Sequence, residues 1–283
     1  MTFAARLKAR IEQHSPLCIG IDPSASLLKT CGLPDSAEGA LEFGRRVLQA
    51  ADYGLAIVKP QSAYFERYGS AGIRALEELT ADARRREVMV LLDVKRGDID
   101  TTGEAYVEAF FAPNSTLKAD AVTLSPYLGL GALDKAIAYA VKNDGGVFVV
   151  VRSSNPEGQA LQTARRADGR SVAEALCDEI TDLNRRFAGD AAGSIGSMGP
   201  VGAVVGATCD DAAQTVAAMP AAFILAPGVG AQGATLEDVR RRMPGALGRV
   251  LPSVSRAVLA NGSGVSELRA TISAMKEASR VLL

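Results

Sequence analysis

Residue types on which many catalytic sites depend are scarce in this chain. Its 283 residues contain no tryptophan, one histidine and four cysteines, and aromatic residues make up only 5%. The single histidine, His14, lies near the end of a predicted first helix, where we interpret it as a solvated or helix-capping side chain. Ser-His-Asp and Cys-His mechanisms are therefore not expected, and neither is a histidine-rich metal site.

No charge of one sign dominates, because 31 lysine and arginine residues oppose 32 acidic residues. This balance excludes a generally basic nucleic-acid-binding protein, and the few aromatic residues exclude base-stacking platforms, but a local anion site is still possible. The cysteines are scattered without a CxxC pair, which is typical of reduced thiols in a cytoplasmic protein. We expect neither a signal peptide nor contact with a membrane, since no apolar run approaches the ~20 residues of a membrane span.

Short apolar runs alternate with amphipathic stretches along the whole chain. The runs are rich in Val, Ile or Leu, as buried parallel strands are, and the stretches place apolar residues at helical spacing. The predicted strands lie at residues 17–22, 54–60, 88–95, 121–126, 146–154, 201–208, 221–228 and 250–256. The main predicted helices lie at 36–52, 71–86, 130–143, 171–187 and 265–282.

Eight strands that are each followed by a helix predict a (β/α)₈ TIM barrel, here one domain over residues 1–283 with a short N-terminal helix. An open doubly wound sheet would show the same local pattern. The barrel is favoured because no linker divides the chain and polar residues end many strands rather than one switch point. We interpret residues 188–200, which are rich in small side chains, as a surface loop.

Charged residues stand at the C-terminal ends of several predicted strands, which is where a barrel places its active site. They are Asp22, Lys59, Asp93, Lys95, Asp98 and Arg256. Alternate residues of a strand share a face, so Asp93 and Lys95 should be neighbours. An ion-pair network that only holds the barrel mouth is the alternative, but burying several charges is costly and seldom improves stability.

A glycine-rich loop follows the seventh predicted strand. Its sequence GVGAQG fits G-x-G-x-x-G at Gly228, Gly230 and Gly233. A dinucleotide site would need an acidic residue about 20 positions later, and none is present there. A backbone cradle for a single phosphate, with Arg256 beside it, fits better than a plain tight turn. Together these features predict a barrel enzyme for a small phosphorylated metabolite, with no metal or organic cofactor evident.

The third strand carries a longer signature. LLDVKRGDIDTT resembles the D-x-K-x-x-D-I-x-x-T motif of the orotidine 5′-phosphate decarboxylase family, and the matching residues are Asp93, Lys95, Asp98, Ile99 and Thr102. Other segments resemble further site elements of that family in chain order. CIGIDPS would hold the ribose through Asp22, and AIVKPQSAYFE would complete a Lys-Asp-Lys-Asp array through Lys59.

The resemblance also implies contacts to the base and the phosphate. SSNPEG is similar to the pyrimidine-recognition loop, with Ser154 favoured over Ser153 as the contact. PGVGAQG and VSRAV resemble the phosphate loop and the arginine segment of the eighth strand. The implied phosphate contacts are Pro227, Gly228, Gln232 and Arg256. Extra length near 23–36 and 155–200 resembles the longer bacterial branch of the family.

The resemblance implies decarboxylation of orotidine 5′-phosphate to uridine 5′-phosphate in de novo pyrimidine synthesis, without a cofactor. Lys95 would stabilise the developing carbanion and donate the proton, beside Asp93 at the substrate carboxylate. Lys59 and Asp98 would hold Lys95. In the family the second aspartate and the following Ile and Thr enter the neighbouring subunit's site, which implies a homodimer with shared active sites.

Three other functions stay open from the sequence. A Mg²⁺-dependent sugar-phosphate decarboxylase or aldolase shares the third-strand motif, although Lys59 stands where a metal ligand would be wanted. A Schiff-base aldolase could use Lys59 or Lys95 as its amine. A catalytically inactive barrel could serve as a nucleotide-binding or scaffold protein, but it would have no need for buried charges.

Overall fold

The computed structural model describes residues 1–51, 54–188, 197–230 and 233–283. Parallel strands close into a barrel in sequence order, with the last strand paired to the first. The strands are β1 (Cys18–Ile21), β2 (Ile57–Pro60), β3 (Met89–Arg96), β4 (Ala121–Leu124), β5 (Gly146–Arg152), β6 (Val201–Val205), β7 (Ile224–Pro227) and β8 (Val250–Val254). The prediction of a (β/α)₈ barrel is confirmed; each predicted run coincides with one observed strand, and β3 extends one residue beyond its run, to Arg96.

Helices surround the barrel and follow the predicted amphipathic stretches. In the described residues they are α1 (Phe3–Gln13), α2 (Ala25–Thr30), α3 (Ala37–Ala51), α4 (Ala63–Glu66), α5 (Gly69–Arg85), α6 (Asp100–Phe111), α7 (Asp134–Lys142), α8 (Pro156–Gln162), α9 (Val172–Ala188), α10 (Ala212–Ala217), α11 (Leu236–Arg242) and α12 (Val265–Ser279). None of these described helices is long and apolar enough to cross a lipid bilayer. Of the predicted loop at 188–200, residues 189–196 lie outside the described residues.

Two apolar layers hold the fold together. The outer layer lies between the strands and the helices, where α3 and α5 approach so closely that a Cβ on Gly44 would lie 2.6 Å from Leu79 Cδ1. The inner layer fills the barrel and includes Phe148 and Phe223. Each fully buried Phe or Leu side chain contributes roughly 1.5–3 kcal/mol to folding.

The N-terminal end of the barrel is closed by α1. Thr2 caps this helix by accepting a hydrogen bond from the backbone N–H of Ala5. Phe3 packs edge-on against Phe148 and Phe223, with ring centroids 6.3 and 6.5 Å apart. Leu7 extends this contact and is fully buried. Apolar side chains of α1 therefore close this end of the barrel.

Candidate active site

A cavity of about 650 Å³ lies at the C-terminal end of the barrel. All eight strands or the residues just after them contribute to its wall, as expected when parallel strands converge on one end. The sequence-predicted residues that line it are Asp22, Lys59, Asp93, Lys95, Ser153, Ser154, Pro227, Gly228 and Arg256. The remaining predicted residues are Asp98 and Thr102, which do not line it, and Gln232, which lies outside the described residues.

The carboxylate of Asp93 is the centre of the charged group. Its Oδ2 accepts hydrogen bonds from Lys59 Nζ and Gln61 Nε2, each at 3.0 Å. Its Oδ1 accepts from Lys95 Nζ at 2.6 Å and from Thr123 Oγ1 at 2.9 Å. Asp93 and Lys59 are both buried. Four donors on one buried carboxylate fix its position and compensate for much of its lost hydration.

The charges of this group are maintained by one another. Burial by itself raises the pKa of Asp93, but the positive charges of Lys59 and Lys95 outweigh it and lower that pKa to about 2. Burial also works to lower the pKa of Lys59, yet the negative charges of Asp22 and Asp93 prevail and raise it. The carboxylate and the buried ammonium are therefore both ionised at neutral pH.

The backbone of β3 bends where it presents Lys95 to the cavity. The pairing with β4 shifts register between Leu92 and Arg96. Lys95 has φ +43°, a left-handed conformation that costs a non-glycine residue on the order of 1–3 kcal/mol. The hydroxyl of Thr123 accepts hydrogen bonds from the backbone N–H groups of Val94 and Lys95 at 3.0 and 2.9 Å. The side chain of Thr123 therefore stabilises both the bend of β3 and the carboxylate of Asp93.

Lys95 reaches into the cavity from this bend. Half of its side chain surface is exposed, whereas the side chain of Lys59 is 7% exposed. The two ammonium groups bind opposite oxygens of Asp93. Lys95 is therefore the more accessible of the two amines that line the cavity, and Lys59 supports the carboxylate from within the barrel.

Asp22, at the end of β1, presents an acceptor to the same cavity. Its Oδ1 lies 3.8 Å from Lys59 Nζ. That oxygen is buried and, among the described residues, it accepts no hydrogen bond. The Asp22 side chain as a whole is 24% exposed and lines the cavity, so its carboxylate can accept a hydrogen bond from a ligand hydroxyl.

Asp98 and Thr102 lie outside the cavity of their own chain. Asp98 Oδ1 accepts a hydrogen bond from the backbone N–H of Ile99 at 2.8 Å, and Asp98 forms no ion pair with Lys95 within the described chain. Thr102 and Ile99 are exposed at the start of α6. Within one chain, Lys59, Asp93 and Lys95 therefore lie together, whereas Asp98 lies outside their cavity.

Loops after β7 and β8 form the opposite wall. Gly228 and Gly230 have φ +104° and +78°, and the backbone N–H of Gly230 donates to the carbonyl of Ala234 at 2.8 Å. These glycines are thus required by a tight turn whether or not the turn also binds phosphate. Arg256 begins a short 3₁₀ helix after β8 and forms no ion pair with any described residue. Its guanidinium is available to an anion in the cavity.

Two functional candidates were missed by sequence reasoning, namely Gln61 and Thr123. Both donate to Asp93; Thr123 lies on β4, and Gln61 directly follows β2 and is bridged to Asp93. Thr123 is the polar residue in the apolar run AVTL, and Gln61 lies two residues after Lys59 on the same face. Their positions in the sequence were the features that could have identified Thr123 and Gln61 as site residues.

No group of three or more His, Cys, Asp or Glu side chains in the described part of the chain is arranged to hold a metal ion. The cavity instead offers the ammonium groups of Lys59 and Lys95 and the guanidinium of Arg256, together with the carboxylates of Asp22 and Asp93. It can therefore bind an anionic ligand, stabilise negative charge that develops near Lys95, and supply a proton there.

Comparison with known proteins gives a consistent result. Residues 15–271 match the family model described as "Orotidine 5'-phosphate decarboxylase / HUMPS family". Proteins named orotidine 5′-phosphate decarboxylase from Myxococcus xanthus and Salinispora arenicola are 46% and 48% identical to this chain. These alignments cover 94% and 95% of this chain, and 91% and 94% of the two relatives.

Solved structures agree with the sequence relatives. A crystal structure from Streptomyces avermitilis ma-4680, provisionally named for the same enzyme, superimposes with a TM-score of 0.90 at 42% identity and covers 99% of this chain and 95% of its own. The structure of Leishmania donovani OMP decarboxylase has a TM-score of 0.77 at 30% identity and covers 99% of both chains.

Proposed function

The chain belongs to the orotidine 5′-phosphate decarboxylase family, and from this premise we propose how its site performs the reaction. The enzyme is a carboxy-lyase of pyrimidine biosynthesis that converts orotidine 5′-phosphate to uridine 5′-phosphate and CO₂ without a cofactor. The observation that carries the mechanism is a buried carboxylate, Asp93, held between the ammonium groups of Lys59 and Lys95 at the cavity wall.

In the proposed mechanism, the bond between the ring carbon and the carboxyl carbon breaks and its electron pair stays on the ring carbon. The ammonium of Lys95 stabilises this charge and then transfers a proton to the carbon, while CO₂ leaves. Two unit charges 4 Å apart at an effective dielectric of 20 interact by roughly 4 kcal/mol, about 10³-fold in rate. Because the array is preformed, little reorganisation is needed when the charge develops.

Asp93 would lie beside the substrate carboxylate, where like charges favour departure of CO₂. Its pKa of about 2 supports this role, because the carboxylate stays ionised throughout the physiological range. The four hydrogen bonds to Asp93 keep it from turning away from the substrate. Lys59, which is buried, holds both Asp93 and Asp22.

The other parts of the substrate would bind along the remaining walls of the cavity. We assign the ribose hydroxyls to Asp22, the pyrimidine ring to Ser154, and the phosphate to Arg256 and the turn at Pro227 and Gly228. Gln232 and Thr102 are further proposed contacts, the first to the phosphate and the second in a neighbouring subunit. Binding energy from the remote phosphate can then be used in the transition state.

A homodimer with shared sites is the proposed assembly. Apolar side chains are exposed beside the Asp98 loop: Ile99 and Leu128 are each 53% exposed and Tyr127 is 79% exposed. The loops after β3 and β4 lie together, since the backbone N–H of Ser125 donates to the carbonyl of Arg96 at 2.8 Å. Pairing of this surface with a second copy would bury it and carry Asp98 toward the partner's Lys95.

We further propose that residues 1–283 act as one catalytic domain in the cytoplasm. All four cysteines, which lie in the described residues, are free and buried, as is usual in a reducing compartment. The substrate proposed here is a phosphorylated metabolite, which fits that location.

Turnover of orotidine 5′-phosphate by the purified chain, followed as loss of substrate absorbance, tests the activity. We expect turnover without added metal and no effect of a chelator. A folded dimer without turnover would contradict the proposal, and inhibition by the chelator would favour the Mg²⁺-dependent alternative. For that alternative, a metal on Asp93 would have to displace one of four hydrogen-bond donors.

Complementation tests the shared site. Lys95→Ala and Asp98→Ala chains should each be inactive, whereas mixing them should restore about a quarter of wild-type activity, because half of the dimers are mixed and each has one intact site. Mixtures as inactive as the separate variants would show that Asp98 does not act across the dimer.

A further inference from the structure

A hydrogen-bonded network lies behind the two serines at the end of β5. The side chain of Arg152 is 6% exposed, and its Nε lies 3.1 and 2.9 Å from the two carboxylate oxygens of Asp211, next to α10. Its Nη1 donates to Gln162 Oε1 at 3.0 Å, in the last turn of α8. We call these three side chains, Arg152, Gln162 and Asp211, the clamp.

Gln162 is the member that touches the serine segment. Its Oε1 also accepts a hydrogen bond from the backbone N–H of Ser153 at 3.0 Å, while its Nε2 donates to Ser153 Oγ at 2.8 Å. Two donors at one end of the amide fix which atom is oxygen, so the other end is the NH₂ group. Both the backbone and the hydroxyl of Ser153 are therefore held by one side chain.

The other side of the segment is held by the loop after β6. The backbone N–H of Gly206 donates to the carbonyl of Arg152 at 2.9 Å. A Cβ at Gly206 would lie 3.0 Å from both the backbone N and the Cβ of Ser154, so a larger residue would push Ser154 toward the cavity. Cys209 Sγ donates to the carbonyl of Ser153 at 3.6 Å. Ser153 and Ser154 are thus fixed from both sides.

The clamp is not explained by the stability of the surrounding helices. α8 buries none of its residues, so its position depends on polar ties such as Gln162. A guanidinium removed from water is seldom more stabilising than an apolar side chain of similar size. Arg152 is nevertheless directed at the segment that lines the cavity, where β5 and β6 lose their regular register.

We propose that Arg152, Gln162 and Asp211 are positioning residues that hold Ser153 and Ser154 in the conformation that recognises the pyrimidine ring. This inference rests on the proposed function, because it assigns the base rather than the ribose or phosphate to this side of the cavity. It predicts that loosening the clamp weakens recognition of the base and leaves recognition of the sugar phosphate unchanged.

The test compares the affinity of two probes, uridine 5′-phosphate and ribose 5-phosphate, which share the sugar phosphate and differ by the base. Gln162→Ala should weaken binding of uridine 5′-phosphate about tenfold, as expected for loss of hydrogen bonds that orient one contact, and binding of ribose 5-phosphate by less than about twofold. Gln159→Ala, one turn earlier on the exposed surface of α8, is the matched control and should change neither.

Because replacing Arg152 could unfold the barrel, Asp211→Asn is the second variant. It should weaken the nucleotide about threefold without changing the sugar phosphate, since one hydrogen bond and the charge are altered. Asp210→Asn is its control, because the neighbouring carboxylate is fully exposed. Gln162→Glu, which keeps an acceptor for Arg152 and for the backbone of Ser153, should recover part of the affinity.

If Gln162→Ala weakens binding of both probes equally, or weakens binding of neither, the proposed role of the clamp is wrong. The proposed function fails separately, if the wild-type chain binds uridine 5′-phosphate but does not turn over orotidine 5′-phosphate. In that case the binding comparison still decides the clamp. A wild-type chain that binds ribose 5-phosphate and uridine 5′-phosphate equally well would overturn the clamp as a base-recognition device.

Discussion

The two ends of this barrel use the same eight strands for opposite purposes. At the N-terminal end, α1 covers the strands with Phe3, Leu7 and other apolar side chains, and its ion pair between Arg6 and Asp120 is partly exposed. At the C-terminal end, Lys59 and Asp93 are equally buried but charged. Apolar burial stabilises the fold directly, whereas buried ions recover through their partners only what they lose in hydration. The difference indicates that stability is concentrated at one end and reactivity at the other.

Replacing the reactive ammonium should show the largest effect at the charged end. Lys95→Ala removes the proton donor and the nearest positive charge, so we expect kcat to fall by at least about 10⁴-fold. Affinity for uridine 5′-phosphate should change by less than about tenfold, since the other contacts are kept. Steady-state kinetics and a binding titration measure the two quantities. Lys142→Ala, at the exposed end of α7, is the control, and an equal loss of affinity and rate would contradict the proton-donor role.

Removing a buried apolar side chain at the N-terminal end should lower stability and leave catalysis unchanged. Leu7→Ala removes a fully buried side chain, which typically costs about 2–5 kcal/mol of unfolding free energy. The kcat of the folded fraction should be unchanged at 25 °C, because α1 does not line the cavity. Urea unfolding and active-site-normalised kinetics check both parts. A large fall in kcat would show that the two ends are not independent.

Acid should weaken the charged end through Asp93. Its carboxyl ionises at about 2 in the folded chain against 3.8 as its ordinary value, so the unfolded chain binds more protons between these pH values. The stabilisation is complete above about pH 4 and is lost as the pH falls through 2; at 1.36 kcal/mol per unit it amounts to about 2 kcal/mol.

Unfolding free energies measured from pH 5 down to pH 2 test this dependence. Asp93→Asn should make the dependence shallower, because the amide does not titrate while other carboxyl groups with lowered pKa, such as Asp238, still do. Asp210→Asn, at a fully exposed position, should retain the wild-type slope. If Asp93→Asn and the wild-type chain lose stability in parallel, another group is responsible.

The smallest expected change in kcat follows from removing Gln61, a neutral hydrogen-bond donor to Asp93. Gln61→Ala removes one of four hydrogen bonds to Asp93, so kcat should fall about tenfold, equivalent to roughly 1.4 kcal/mol, with little change in stability. Gln13→Ala, at the end of α1 in the closed half, provides a glutamine control. An unchanged kcat would show that the other three donors suffice to hold the carboxylate.

The sequence predicted the fold and part of the site for different reasons. Apolar runs such as those around Phe148 mark strands because burial on both faces requires continuous hydrophobicity. Asp93 and Lys95 could be paired because alternate residues of one strand share a face. Gln61 and Thr123 could not be assigned in this way, because their contacts depend on the register between neighbouring strands.

Contacts between distant segments were also beyond the sequence. Asp211 meets Arg152 across 59 positions, and no local pattern specifies which loop of a barrel approaches which. The role of Asp98 stays a prediction, since within one chain it lies away from Lys95. The left-handed bend of β3 was likewise not predicted, because lysine has no preference for it.

That bend has a practical consequence for engineering. A residue at φ +43° is relaxed by glycine, so part of the strain at Lys95 disappears in Lys95→Gly. Selection of a variant library for thermal stability alone would favour this substitution, because it relieves backbone strain. The selected variants would be more stable but catalytically inactive. Directed evolution for stability should therefore measure catalytic activity in every round or keep Lys95 unchanged.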